Sequence, residues 1–239
     1  MLVLKPLTMT ITHPLPIFDP RTVPVLSVDT HLADVPAQRL TPAALRQRFL
    51  QPPLWTPERT TEKKFGDRVP TLAAVLIPLV MRDELMLLLT VRDKNMSTHS
   101  GQIAFPGGRT DESDANAVHT ALREADEEIG LPSAHVEVLG TLPNYITGSA
   151  FIVTPVVALV KPGFQLQPNL AEVADVFEVP LRFLMSPANH RWHVFEFEGA
   201  EREWLSMPYT SDAPELPQER YIWGATAAIL RNFYRFLAA

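Results

Sequence analysis

The stretch from Gly107 to Leu131 reads "GGRTDESDANAVHTALREADEEIGL". Its right half places four carboxylates, Glu124, Asp126, Glu127 and Glu128, within five residues. Ala117, Val118, Ala121, Leu122, Ala125 and Ile129 recur at spacings of three and four, which is the buried stripe of a helix. Glu124, Glu127 and Glu128 stand at i, i+3 and i+4 and so share a second face. Gly130 is placed to end the helix in the left-handed conformation, and Pro132 keeps it from resuming. The carboxylates therefore occupy the last turn, where the helix dipole disfavours negative charge.

A solvated acidic face is one reading of that pattern, and Asp126, which points elsewhere, fits it. It does not explain why negative charge gathers at the unfavourable end. A bound divalent cation removes the conflict. Three carboxylates supply hard oxygen ligands suited to Mg²⁺ or Mn²⁺, ions that keep several waters and bridge to substrate phosphates. The preceding "FPGG" can approach closely because glycine has no side chain, and a carbonyl of Gly107 or Gly108 would complete the coordination.

Outward from this helix the chain is ordinary in bulk. It has 239 residues, 46% of them hydrophobic and 20% charged, with a net charge of −6. That is material for one large domain with an appended segment, and it carries no basic footprint for nucleic acid or an anionic membrane. The absence of cysteine excludes a disulfide framework, a thiol nucleophile and a cysteine zinc site. "MLVLKPLTMTITHPLP" lacks a basic start followed by an uninterrupted apolar core, so no signal peptide is expected. No apolar run approaches the ~18 residues of a membrane span. A cytoplasmic location is the expectation.

Residues 1–68 hold ten of the 23 prolines and one of the ten glycines. They read as an extended arm carrying one short helix, "TPAALRQRFL", with Thr41 as N-cap, Pro42 at the first helical position, and Leu45, Phe49 and Leu50 inward. From Thr71, "TLAAVLIPLV" and "LMLLLTVR" flank the polar "MRDE" as two strands and a turn, their continuous apolarity suiting a sheet covered on both faces. "HVEVLGTL", "AFIVTPVVALV" and "VFEVPL" add strands, and "RWHVFEFEGAEREWLSMPY" a hairpin turning at Gly199. "WGATAAILRNFYRFLAA" is a helix docked on the core through Trp223, Ile229, Leu230, Phe233 and Leu237. The expected architecture is an α/β sandwich with a mixed sheet.

Residues 123–131, "READEEIGL", resemble the core of the Nudix box, in which Arg-Glu is followed by an apolar residue, a Glu-Glu pair, glycine and a last apolar residue. The front half departs from the pattern. Five residues separate Gly108 from Asp114, where Glu is usual, and eight rather than seven precede Arg123. A second stretch, "LLTVRDKNMSTHSGQIAFPGG", resembles the signature of the coenzyme A pyrophosphatase branch at Leu88, Leu89, Thr90, Arg92, Gly101 and Phe105 to Gly108. It departs at Asp93 and at Ser97, where that branch has Ser or Ala and Arg.

The resemblance implies a Nudix-type α/β/α sandwich over residues 69–239, with residues 1–68 packed on it as an arm. It implies metal-dependent hydrolysis of the diphosphate of coenzyme A or its derivatives, giving 4′-phosphopantetheine and adenosine 3′,5′-bisphosphate. Glu124, Glu127, Glu128 and a carbonyl at Gly108 are then the metal ligands, and Arg123 fixes a carboxylate rotamer. Glu172, in "AEVADVFEVP", is the loop candidate for general base, and Arg92, Lys94 and His99 are candidate substrate contacts. Asp114 either supports the metal loop or caps the helix, and His99 either binds phosphate or holds its loop. ADP-ribose or another nucleoside diphosphate conjugate is the alternative substrate, and a non-catalytic ligand-sensing module the alternative class. A homodimer is left open.

Overall fold

The computed structural model describes residues 19–63, 69–95, 100–197, 200–211 and 218–239. In chain order, strand β1 (Ser27–Val28) and helix α1 (Pro42–Leu50) lead into β2 (Thr71–Met81), β3 (Leu85–Arg92), β4 (Ile103–Ala104) and β5 (Gly107–Arg109). Helix α2 (Ala117–Ile129) follows, then β6 (Val136–Thr141), β7 (Tyr145–Ile146), β8 (Phe151–Val160) and β9 (Val173–Pro180). Helix α3 (Leu181–Leu184), β10 (Arg191–Phe197), β11 (Ala200–Thr210), β12 (Glu219–Trp223) and helix α4 (Gly224–Ala238) complete it.

The main sheet has eight strands in the path β4-β3-β2-β8-β6, with β5, β7 and β9 attached to β2, β8 and β3. It is mixed: β2 and β8 run parallel over Thr71↔Phe151 to Val80↔Val160, while every other pairing is antiparallel. Such a sheet needs cover on both faces, and each face has its own core. On one, Ala74, Leu76, Val156 and Ala158 meet Ala121, Ala125 and Ile129 of α2. On the other, Ile77, Leu79, Leu87 and Val157 meet α4 through Leu230, Phe233 and Leu237. Full burial of each such leucine, isoleucine or phenylalanine contributes roughly 1.5–3 kcal/mol.

One detail of the sheet positions the site. β2 pairs with β3 only at Leu79–Met81, and from four residues nearer its start, at Val75, it pairs with β5 instead, Ala74 lying opposite Gly108. β3 therefore parts from β2, and the chain re-enters the gap as β5. α2 lies over that fork.

A second, four-stranded sheet, β1-β10-β11-β12, was foreseen only as the β10–β11 hairpin; its turn at Gly199 lies outside the described residues. α1 begins as expected, Thr41 Oγ1 accepting from Ala44 N at 3.2 Å. Leu50, expected inward, is 77% exposed, because Leu45 and Phe49 hold the core-facing stripe. Leu50 stands about 100° further round the helix from Phe49. Among the described residues, no helix is long and apolar enough to cross a membrane.

Candidate active site

α2 is held at both ends by the devices its sequence announces. Asn116 Oδ1 accepts from His119 N at 3.0 Å, and Gly130 adopts φ +64° with its N–H on the Asp126 carbonyl at 2.8 Å. Asn116 thus takes the N-cap and leaves Asp114 free for Arg123. The buried stripe of Ala121, Ala125 and Ile129 fixes the rotation of the helix. That rotation carries Glu124 and Glu128 to the fork between β3 and β5.

Glu128 is 4% exposed. Its Oε2 accepts from Gly107 N at 3.1 Å, and its Oε1 lies 3.8 Å from Arg92 Nη1, so it bridges the two diverging strands. Burial raises its pKa to about 7 against the opposing effects of the Gly107 N–H and Arg92, and the charges of Glu124 and Glu172 push it further up. Glu124 is also raised, first by burial, although Arg123 pulls it down. A Cβ added at Gly108 would lie 2.5 Å from the Glu124 carboxylate, so only glycine permits this approach.

Arg123 organises the acidic face. Its Nε and Nη2 hold Asp114 at 3.0 and 2.9 Å, its Nη1 holds Glu124 at 2.9 Å and Glu127 at 2.8 Å, and Nη2 also reaches the Arg109 carbonyl. The Asp114 carboxyl is held far below the usual range by this guanidinium, and Arg123 is pushed correspondingly up. Glu127 is the outlying member, with its side chain 59% exposed.

Glu172 is half-buried and near enough for its charge to act on both Glu124 and Glu128. Its backbone closes the loop onto β3, Asp93 N donating to the Glu172 carbonyl at 2.8 Å. Of the other candidates, Arg92 lies in the site beside Glu128, and Lys94 is exposed in the turn that follows. His99 lies outside the described residues.

Among the described residues no three His, Asp or Glu side chains gather as a ready-made metal cluster. The donor set nevertheless suits a hard divalent cation. One carboxylate is buried and the other half-buried, at a cost that their neighbours do not remove, and a glycine leaves room beside Glu124. The register adds a backbone oxygen. Leu76 N donates to Pro106 O and Thr110 N to Leu72 O, so alternation commits Gly108 to Ala74 and turns the N–H and carbonyl of Gly107 away from β2.

The sequence leaves Asp114 between two roles, and only the fold shows that Asn116 takes the cap. Asn169, bonded to Glu172, was passed over; the four-residue run "NLAE" is the signal that marks an Asx turn ending on a carboxylate.

Comparison with known proteins places this site in a family context. Residues 70–207 match the NUDIX domain. The chain is 42% identical over 160 residues to the uncharacterized Nudix hydrolase NudL of Yersinia enterocolitica, covering 67% of this chain and 78% of that one. It is 40% identical over 161 residues to NudL of Escherichia coli K12, covering 67% and 79%. Among solved structures, the Nudix hydrolase RenU of M. smegmatis is 26% identical with a TM-score of 0.40, over 48% of this chain and 81% of that one.

Proposed function

The chain belongs to the Nudix family of pyrophosphohydrolases, enzymes that use divalent metal ions to hydrolyse nucleoside diphosphate conjugates, and on that premise we propose that it cleaves the diphosphate of coenzyme A. The products are 4′-phosphopantetheine and adenosine 3′,5′-bisphosphate. What carries the reading is the segment from Leu88 to Gly108. Three of the residues that resemble the coenzyme A pyrophosphatase signature, Arg92 on β3 and Gly107 and Gly108 on β5, lie against the carboxylate pair.

Glu124 and Glu128 hold the ion, Mg²⁺ or Mn²⁺, with the Gly107 carbonyl taking the backbone position first given to Gly108. Glu127 serves as a third ligand or holds a second ion. When bound, the ion polarises phosphoryl oxygen and lowers the pKa of a bound water. Arg123 keeps Glu124 and Glu127 in fixed rotamers, and Arg92 faces the diphosphate across Glu128. Glu172 accepts the proton of the attacking water as its oxygen bonds to phosphorus and the anhydride P–O bond breaks. The division into an arm at 1–68 and a hydrolase domain at 69–239 belongs to the same reading, and the family match beginning at residue 70 supports it.

The test is a panel of coenzyme A, 3′-dephospho-coenzyme A, ADP-ribose, NADH and a dinucleoside polyphosphate, each with Mg²⁺ or Mn²⁺, with products separated by chromatography. Coenzyme A should give the highest kcat/KM. Preference for ADP-ribose over both coenzyme forms would overturn the substrate and leave the chemistry standing.

A further inference from the structure

We infer that Asn169 is a positioning residue that aims the Glu172 carboxylate into the site, an inference that rests on Glu172 serving as general base. Five hydrogen bonds converge on this one side chain and its peptide. The Asn169 N–H donates to the Glu128 carbonyl at 2.9 Å, which ties the loop to the last turn of α2. The Asn169 carbonyl accepts from the N–H groups of both Glu172 and Val173 at 2.9 Å, so the loop turns back on itself and enters β9. The side chain completes the device. Its Oδ1 accepts from Ala171 N at 3.2 Å, and its Nδ2 donates to Glu172 Oε1 at 3.3 Å.

The amide cannot be read the other way round. Ala171 N is a donor and needs the oxygen, which leaves only the NH₂ group for the carboxylate. Asn169 thus couples two things that must keep their mutual geometry, the helix that carries Glu128 and the carboxylate of Glu172. Its side chain is exposed and is not part of the core. A residue serving only the turn would need the Oδ1 bond; the Nδ2 bond serves Glu172 alone.

Asn169→Asp separates the two bonds, because it keeps the acceptor for Ala171 and loses the donor for Glu172. The full chain is compared as wild type, Asn169→Asp, Glu172→Gln and the double variant, on coenzyme A and ADP-ribose with Mg²⁺, alongside thermal midpoints without metal. The expected result is a kcat at least tenfold lower for Asn169→Asp, with KM within about twofold and an unchanged midpoint. In the double variant the donor and acceptor simply change sides, the introduced amide donating to the introduced carboxylate. The Asn169→Asp substitution should therefore cost nothing beyond Glu172→Gln. A kcat for Asn169→Asp within twofold of wild type, with Glu172→Gln slow, overturns the positioning role and spares the base. Equal losses in both backgrounds also overturn it, because Asn169 would then act elsewhere. Wild-type turnover by Glu172→Gln removes the base reading itself. Should Asn169→Asp prove unstable, Asn169→Ser, which can cap Ala171 but is too short for Glu172, takes its place under the same criteria.

Discussion

The molecule buries two ionic clusters, and they are built on opposite terms. Midway along α4, Arg231 is 2% exposed and fully matched: Glu58 takes its Nε and Nη2, Asp29 lies at 2.9 Å, and His190 Nδ1 accepts from Nη1 at 2.9 Å. His190 in turn donates Nε2–H to the Leu184 carbonyl, and Asp29 accepts from Trp192 Nε1. At the fork of the main sheet, Glu128 is buried and Glu124 half-buried with few donors, a third carboxylate lies nearby, and among the described residues the buried Nε of Arg92 has no partner. A structural cluster is satisfied by its own residues. The fork is left short, which is what the proposed site for a cation and a phosphate requires.

The sharpest way to break this contrast is Glu128→Gln. Turnover should fall ~10³-fold or more, because a metal ligand is lost, while the metal-free thermal midpoint rises by a few degrees at mildly alkaline pH. Activity within threefold of wild type would mean that the fork is not reactive. Arg231→Met should do the reverse. It leaves Asp29 without its cation and Glu58 with only Arg235, at 3.4 Å, and should cost about 3–5 kcal/mol, which a denaturant titration reads directly. The folded fraction should keep its kcat.

The two clusters should also respond to pH with opposite signs. His190 is neutral in the fold, its pKa lowered by burial to about 4 from 6.5. As pH falls from 6.5 to about 4, the unfolded chain gains a proton that the fold refuses, so stability present above 6.5 is lost, by about 3 kcal/mol at most. Glu128 runs the other way. Between pH 4.5 and about 7 the fold retains a proton that the unfolded chain has released, so metal-free stability falls as pH rises through that window. Stability curves in chelator for wild type and Glu128→Gln should diverge across it, and parallel curves would contradict the assignment. Saturating Mg²⁺ should restore what ionised Glu128 costs.

The smallest effect sharpens the comparison most. Gly108→Ala puts a methyl against the movable end of Glu124, whereas Gly107→Ala puts one 2.5 Å from the Ala74 carbonyl at φ +156°. The first should cost roughly tenfold in kcat/KM with little change in midpoint. The second should lower the midpoint itself.

The carboxylate cluster of α2 is legible in the sequence as a shared helix face and the cluster around Arg231 is not, for a physical reason. Glu124, Glu127 and Glu128 sit on one helix, where period and caps translate spacing into position. Strands β2, β3 and β8 and helix α4 announce themselves by the same local patterning. Asp29, Glu58, His190 and Arg231 come from four separate parts of the chain, and nothing in the neighbourhood of any one of them points to the others. The short strand β1, which pairs with β10 through Ser27↔Trp192, is invisible for the same reason. Leu50 shows the converse error, an apolar residue credited to a stripe that its two neighbours already fill.

The arm's anchorage also sets an order of events during synthesis. Glu58 finds Arg231 only 173 residues later, and at ~5–20 residues per second that partner leaves the ribosome roughly 10–35 s after the arm. For that interval the proline-rich segment lacks its partners on α4, among them Phe236, on which Phe49 of its short helix packs. Its scarcity of long β-prone runs is then a safeguard for the nascent chain, keeping an early segment soluble until the last helix arrives to receive it.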